Sequence, residues 1–273
     1  MQILILCPYW GHEHLDITTF LEKILSKGFD GIDSWIPTDI KQRKKFYKFI
    51  EARQVPFVAH QHRATGTTFA QFCKSYQQEL VLCAQSGPVL INSHTGKDHF
   101  KKEEFLKLLD IALNFTEKTG ITVSHETHRG RFGYSPQMLE EYLALYQYLP
   151  ITADFSHWTC VTESMLSEFG ETLNATIKNT RALHARIGYE QGPQIPDLQD
   201  FAWKSQISTF FSWWDEIIHN AKSLGIPVFP ITTEFGPFPY MVNPKGAVQV
   251  LNRQFELNLQ MKILLRSRYH SSH

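Results

Sequence analysis

Histidines are concentrated at the ends of the β-like segments of this chain. Seven of the 13 histidines lie on or just after such ends. They are His60, His62, His94, His125, His128, His157 and His184. Imidazole binds divalent metals and transfers protons near neutral pH. We therefore expect metal binding or proton transfer where these segments end.

Four late segments each carry one side chain that can bind a metal. The segments read SHETHRGR, ADFSHW, HAR and TTEFGP, and period-two alternation points one ligand from each to the same side. These ligands are Glu126, Asp154, His184 and Glu234. Three carboxylates in an apolar interior cannot all stay charged without a cation between them. Mostly oxygen ligands with one imidazole predict one divalent ion, Zn²⁺ or Mn²⁺ by preference, with Mg²⁺ and Co²⁺ also compatible.

The elements that must position these residues form a regular alternation. Eight β-rich runs are separated by amphipathic stretches. They span residues 3–7, 29–36, 56–62, 88–94, 121–127, 150–157, 182–189 and 227–235. Eight units favour closure into a parallel barrel over an open doubly wound sheet, and PYWG after the first strand lacks the glycine-rich fingerprint of a nucleotide-binding sheet. The sequence predicts an α/β fold, a single (β/α)8 TIM barrel over residues 1–265, followed by a polar tail over 266–273.

Local signals predict where helices begin and end. One apolar helical stripe stops before Gly28 and another stops before Gly120, as expected for glycine at a helix C-terminus. Ser135 and Asn243, each followed by proline, predict helix N-termini. The stretch 188–204 is rich in Gly, Pro and Asp, and we expect it to form an active-site loop.

The composition argues against several classes of protein. Lys plus Arg and Asp plus Glu are both 27, so the net charge is zero and nucleic-acid binding is not indicated. No apolar run approaches the roughly 20 residues of a membrane span. The four cysteines are scattered, with no metal-finger spacing. We expect reduced thiols in a cytoplasmic protein.

The order Glu, Asp-x-x-His, His-x-Arg, Glu on successive late strands resembles the xylose-isomerase-like superfamily of barrels. That superfamily includes ketose 3-epimerases, hydroxypyruvate isomerase, inosose dehydratase and endonuclease-IV-like nucleases. The resemblance covers residues 1 to about 262, is most specific between 121 and 237, and there is similar to proteins described as sugar phosphate isomerase/epimerase. It implies a metal-dependent isomerase or epimerase that acts on a small sugar, sugar acid or sugar phosphate through an enediolate.

The resemblance also assigns roles to individual residues. It implies that Glu126 and Glu234 bind the metal and also move protons on opposite faces of the substrate. His157 matches a histidine that contacts a substrate oxygen, and Arg186 matches a polar position beside the ligand of strand seven. Homo-oligomers are common among the relatives, so a homo-oligomer is an expectation from the resemblance alone.

Further substrate contacts are expected at neighbouring strand ends. They are His60, His62, His94, Arg129 and Trp10. His60 and His62 could instead bind a second metal or only cap the barrel. Arg129, Arg131 and Arg186 together would suit an anionic substrate. His12 and His14 are expected in solvent, and His125 is expected to face the helices.

Three other functions stay open at this point. An endonuclease-IV-like phosphodiesterase would use the same ligands, but its Asp-x-His pair after strand seven is replaced by GYEQGPQIPD. A dehydratase or lyase would share the metal and the proton abstraction. A ligand-binding barrel without catalysis is the fourth reading, and the intact ligand set argues against it.

Overall fold

A closed parallel barrel forms the centre of the protein. The structure, a computed structural model, describes residues 1–241 and 247–269, and side chains in the last helix from residue 253. Within those residues, eight strands pair in chain order and the eighth pairs with the first. The strands are β1 (Gln2–Pro8), β2 (Gly31–Ser34), β3 (Phe57–Gln61), β4 (Leu90–Ser93), β5 (Val123–Glu126), β6 (Ile151–Ala153), β7 (Thr180–His184) and β8 (Val228–Thr232). The predicted barrel and its strand count are confirmed.

Helices pack around the outside of the barrel. They are α1 (Ile17–Ser26), α2 (Ile40–Arg53), α3 (Phe69–Cys83), α4 (Lys102–Thr119), α5 (Pro136–Leu145), α6 (Phe155–Val161), α7 (Gly170–Asn179), α8 (Lys204–Ser223) and α9 (Ala247–Tyr269). Gly28 and Gly120 follow α1 and α4 with φ of 78° and 72°, so both predicted stops are confirmed. Ser135 caps α5 through its side chain. The predicted cap at Asn243 lies outside the described residues.

The sixth predicted strand is too long. The run 150–157 is a strand only over Ile151–Ala153, and Phe155–Val161 is α6. The carboxylate of Asp154 accepts the backbone N–H of Ser156 at 3.0 Å, which ends the strand and caps the helix that follows. His157 therefore lies on a helix and not on a strand.

The loop between β7 and α8 supports the site from outside the cavity. Residues 188–204, which are all described, contribute none of the side chains that line the central cavity. Instead, Gln194 is buried and its Oε1 accepts the backbone N–H of Gly236 at 2.7 Å. The prediction of an active-site loop is therefore corrected to that of a loop that fixes the segment after β8.

Apolar side chains fill the lower part of the barrel. Leu4, Leu6, Val58, Leu90 and Ala182 form their own buried cluster. The residues of β1 that alternate with Leu4 and Leu6 belong to the larger core under the helices. This alternation gives the site an apolar floor.

The C-terminal helix closes the fold against the first strand. Residues 266–269 of the predicted polar tail form the last turn of α9, and residues 270–273 lie outside the described part of the chain. Among the described helices, none has the length and apolarity that a membrane span requires.

His12 is buried and not solvated, which corrects the expectation from the sequence. Its ring stacks on Phe20 with the ring centroids 4.7 Å apart, and it meets Phe255 edge-on at 5.6 Å. His12 is only 2% exposed. The pKa of His12 is lowered to about 4. Burial is the largest cause, and the positive charges of Lys23 and His14 add to it. The folded state therefore resists protonation of this ring.

We expect His12 to make the protein less stable in acid. Because its pKa is lower when folded than when unfolded, the stability it contributes is present above about pH 6.5 and falls as the pH drops towards 4. A His12→Phe variant should lack this dependence, so it should gain roughly 2 kcal/mol relative to wild type between pH 7.5 and pH 5. Urea unfolding at both pH values measures this difference. An unchanged difference would show that folding does not lower the pKa of His12.

Candidate metal and proton-transfer site

Four buried side chains meet at the C-terminal end of the barrel. Glu126 ends β5, Asp154 follows β6, His184 ends β7 and Glu234 lies two residues after β8. One ligand atom from each lies within 4.8 Å of the others. The structure therefore brings together the four residues that the sequence singled out.

Several ligand atoms in this group have no hydrogen-bond partner. Nδ1 of His184 lies 2.6 Å from Oε2 of Glu234 and 3.5 Å from Oε1 of Glu126. None of these three atoms makes a hydrogen bond within the described residues. Buried carboxylate oxygens without donors are costly, and a divalent cation relieves that cost. Three carboxylates and one imidazole therefore fit a divalent metal.

Charges within the group shift its pKa values strongly. Burial alone would lower the pKa of His184, but Glu234 and Glu126 raise it well above the usual value. Burial raises the pKa of Glu234 to about 7, although His184 and Arg186 act against it. Burial would also raise the pKa of Glu126, but His94 and His184 bring it well below the usual value. The two glutamates thus differ in their affinity for a proton.

Arg186 neutralises Asp154 from beyond the end of β7. Its Nη2 contacts Oδ2 of Asp154 and lies 2.9 Å from Nε2 of His157, and its Nε donates to Oγ of Ser156 at 3.0 Å. The side chain is only 1% exposed. Its guanidinium is therefore engaged with protein groups, and Arg186 positions Asp154 and His157.

The backbone at Glu234 is held in an unusual conformation. Its φ is 51°, in the left-handed region that non-glycine residues rarely adopt. Hydrogen bonds hold the next two residues in place. The N–H of Phe235 donates to Asn258 at 2.9 Å, and the N–H of Gly236 donates to Gln194 at 2.7 Å. Strain of this kind, of order 1–3 kcal/mol, is characteristic of functional sites.

A row of histidines extends from Glu126 across the mouth. Nε2 of His94 and Nε2 of His60 lie 3.0 and 3.7 Å from Oε2 of Glu126, and the three residues form a second group whose possible ligand atoms lie within 4.8 Å of one another. Burial lowers the pKa of both His60 and His94 to about 3. His128 lies between the rings of His94 and His157, at 4.4 and 4.0 Å. These rings are neutral at physiological pH.

The cavity above the ligands has a volume of about 290 Å³. Its lining consists of Pro8, Trp10, Asp33, Trp35, His60, His62, His94, His128, Arg186, Glu234 and Tyr240. Arg129 and Arg131, both described, are not among these lining residues. Arg129 instead packs on the ring of Tyr240 at 5.1 Å, and Arg131 donates to the carbonyl of Gly96. The volume lies at the small end of small-molecule sites.

The sequence interpretation missed Asp33, Asn92 and Tyr240. Asp33 is buried near the end of β2, and Asn92 of β4 donates to Oε2 of Glu126 at 2.6 Å. Tyr240 packs edge-on against Trp10 at 4.9 Å. A carboxylate near a strand end was the available signal for Asp33. His62, a predicted substrate contact, packs against Trp35. His125 faces away from the site, as expected, and pairs with Thr95.

Solved structures share this architecture. No family model matches the sequence, and no curated protein matches it. A D-tagatose 3-epimerase-like protein is similar, with a TM-score of 0.60, 15% identity and coverage of 97% of this chain and 99% of its own. A 3-keto-D-glucoside 4-epimerase from E. coli has a TM-score of 0.58 and 10% identity, with coverage of 95% of this chain and 100% of its own. The chain shares its (β/α)8-barrel fold with these proteins.

A further match differs in the reaction of the matched protein. A protein assigned as a 3-DHS dehydratase, from Bacillus anthracis, has a TM-score of 0.57 and 15% identity, with coverage of 97% of this chain and 98% of its own. At these identities the likeness shows the fold alone. The chemistry therefore has to be argued from the side chains at the mouth.

We expect a divalent metal to stabilise the folded chain through His184. Addition of Zn²⁺ or Mn²⁺ at about 100 times its dissociation constant should stabilise the fold by about 2.7 kcal/mol, which raises the melting temperature by roughly 5 °C or more. His184→Gln should abolish this rise, and the exposed His99→Gln should preserve it. Differential scanning fluorimetry measures the shift. An equal rise in His184→Gln would contradict the assigned site.

Proposed function

We propose that this protein is a metal-dependent isomerase or epimerase that acts on a small sugar or sugar derivative by proton transfer. The observation that carries the proposal is the pair of glutamates, Glu126 and Glu234, that share His184 within one group of metal ligands. A buried acid with a pKa of about 7 is suited to proton transfer at neutral pH. The small cavity with Trp10, Trp35 and Tyr240 in its walls suits a sugar ring.

The residues would divide the work as follows. A divalent ion held by Glu126, Asp154, His184 and Glu234 would supply Lewis acidity, which makes a C–H beside a carbonyl easier to deprotonate. Glu126, which Asn92 and His94 keep ionised, would take that proton. Glu234 lines the cavity, and its pKa of about 7 leaves it a proton that it would return on the other face. His157 would contact a substrate oxygen.

The proton-transfer roles can be tested by isotope exchange. D-tagatose, D-allulose and 3-keto-glucosides are incubated with the metal-loaded protein in D₂O, and deuterium incorporation is followed by NMR and mass spectrometry. Glu126→Gln and Glu234→Gln should each slow incorporation by at least about 100-fold. The exposed Glu117→Gln is the matched control and should exchange as wild type. Full exchange in both active-site variants would refute the proposal.

A phosphodiesterase of the endonuclease-IV type is the second candidate. The observation that favours it is the group His60, His94 and Glu126, which would hold a second ion that shares Glu126 with the first. The replaced Asp-x-His pair after β7 and the zero net charge argue against it. A dehydratase on the same site differs from an isomerase in product mass.

Metal stoichiometry and cleavage separate these candidates. We expect one tightly bound ion per chain by elemental analysis, and no cleavage of a duplex with an abasic site. The control is the same duplex with an endonuclease of known activity. Two or more bound ions together with metal-dependent cleavage, both lost in His94→Gln, would establish the phosphodiesterase instead.

A further inference from the structure

We propose that Asp33 is a positioning residue that determines which ring nitrogen of His184 faces the metal-ligand group. The inference rests on the proposed function, because it concerns a ligand of the proposed metal. Asp33 is buried and lies at β2, three strands away from β7 in the barrel order. It has no assigned role in the ligand set Glu126, Asp154, His184 and Glu234.

The two nitrogens of the His184 ring face different surroundings. Nδ1 faces the carboxylates of Glu234 and Glu126, at 2.6 and 3.5 Å. Nε2 lies 3.3 Å from Oδ2 of Asp33. A carboxylate can only accept, so Asp33 stabilises a proton on Nε2. In the neutral ring, which is the form that binds a metal, the lone pair is then on Nδ1. A metal needs that lone pair, and outer carboxylates orient metal-binding histidines in this way.

The position of Asp33 is itself fixed by a hydroxyl group. Oγ1 of Thr232 donates to Oδ2 of Asp33 at 2.8 Å. Thr232 is also the residue paired with His184 between β7 and β8. The hydroxyl, the carboxylate and the imidazole are thus set by strand register and not by a loop. Sites on such elements keep their geometry more closely than sites on loops.

Asn92 is the competing partner for the same ring nitrogen. Its Nδ2 lies 3.5 Å from Nε2 of His184, and if it donated there, the ring proton would move to Nδ1 and block the metal. The same Nδ2 already donates to Oε2 of Glu126 at 2.6 Å. Asp33 is nearer to Nε2 and charged, so it outcompetes Asn92.

Removal of the charge at Asp33 should therefore weaken metal binding. In Asp33→Asn the amide can donate to Nε2, which favours the tautomer with its proton on Nδ1. We expect the dissociation constant for Zn²⁺ to rise by about 10- to 100-fold. Thr232→Val, which removes one hydrogen bond to Asp33, should raise it by roughly fivefold. Thr152→Val is the matched control, because Thr152 is a buried strand threonine whose hydroxyl donates to Ser124.

The experiment measures zinc affinity and the tautomer together. Affinity is determined with Zn²⁺ alone by competition with a chelating dye, and metal-free thermal unfolding confirms that each variant is folded. Nitrogen-15 NMR of the zinc-loaded protein identifies the protonated nitrogen of His184, with His184→Gln for assignment. We expect a proton on Nε2 in wild type and in Thr152→Val.

Each outcome separates the inference from the proposed function. Wild-type affinity in Asp33→Asn, or a proton on Nδ1 in the wild-type zinc complex, overturns the role of Asp33 alone. Failure of the wild-type chain to bind zinc overturns the metal site and the inference with it. Zinc binding that depends on Asp33, without any sugar exchange, supports the inference and refutes only the proposed reaction.

Discussion

The burial of carboxylates at one end of the barrel is the constraint on which the rest of the site depends. Asp33, Glu126, Asp154 and Glu234 are all less than 10% exposed, and Arg186 is the buried arginine placed among them. Charges of one sign at such distances raise the energy of the folded state unless each carboxylate has donors or a counter-ion. The amide, hydroxyl and imidazole groups of the site are arranged to meet this requirement.

The barrel allows this arrangement because it separates stability from chemistry. The apolar cluster at the bottom of the barrel and the layer beneath the helices supply the burial that stabilises the fold. Short strands then end where the polar side chains begin, so each of the four candidate metal ligands lies within two residues of a strand. The strained backbone at Glu234 is tolerated because Asn258 and Gln194 hold the residues that follow it.

Sequence patterns predicted the strands and the convergence of Glu126, Asp154, His184 and Glu234, but not the groups that contact these four side chains. Period-two alternation identifies which face a side chain occupies, and this was sufficient for Glu126 and His184. The alternation says nothing about distances between side chains across the barrel interior. The contact between Asp33 and His184 could therefore not be predicted from it. Asp154 was placed correctly although its strand ends earlier, because an N-cap and a strand end can occupy the same position. Burial of His12 depends on the last helix, which is remote in sequence.

The two glutamates are chemically different although they share one imidazole. Glu126 is held by Asn92 at 2.6 Å and His94 at 3.0 Å, and these contacts favour its ionised form. Glu234 lines the cavity, and burial keeps its pKa near 7. Environments that push apart the pKa values of two carboxylates are how one site obtains an acid and a base. In the proposed reaction, this asymmetry makes the ionised Glu126 the base of the first proton transfer and Glu234 the acid that returns a proton in the second.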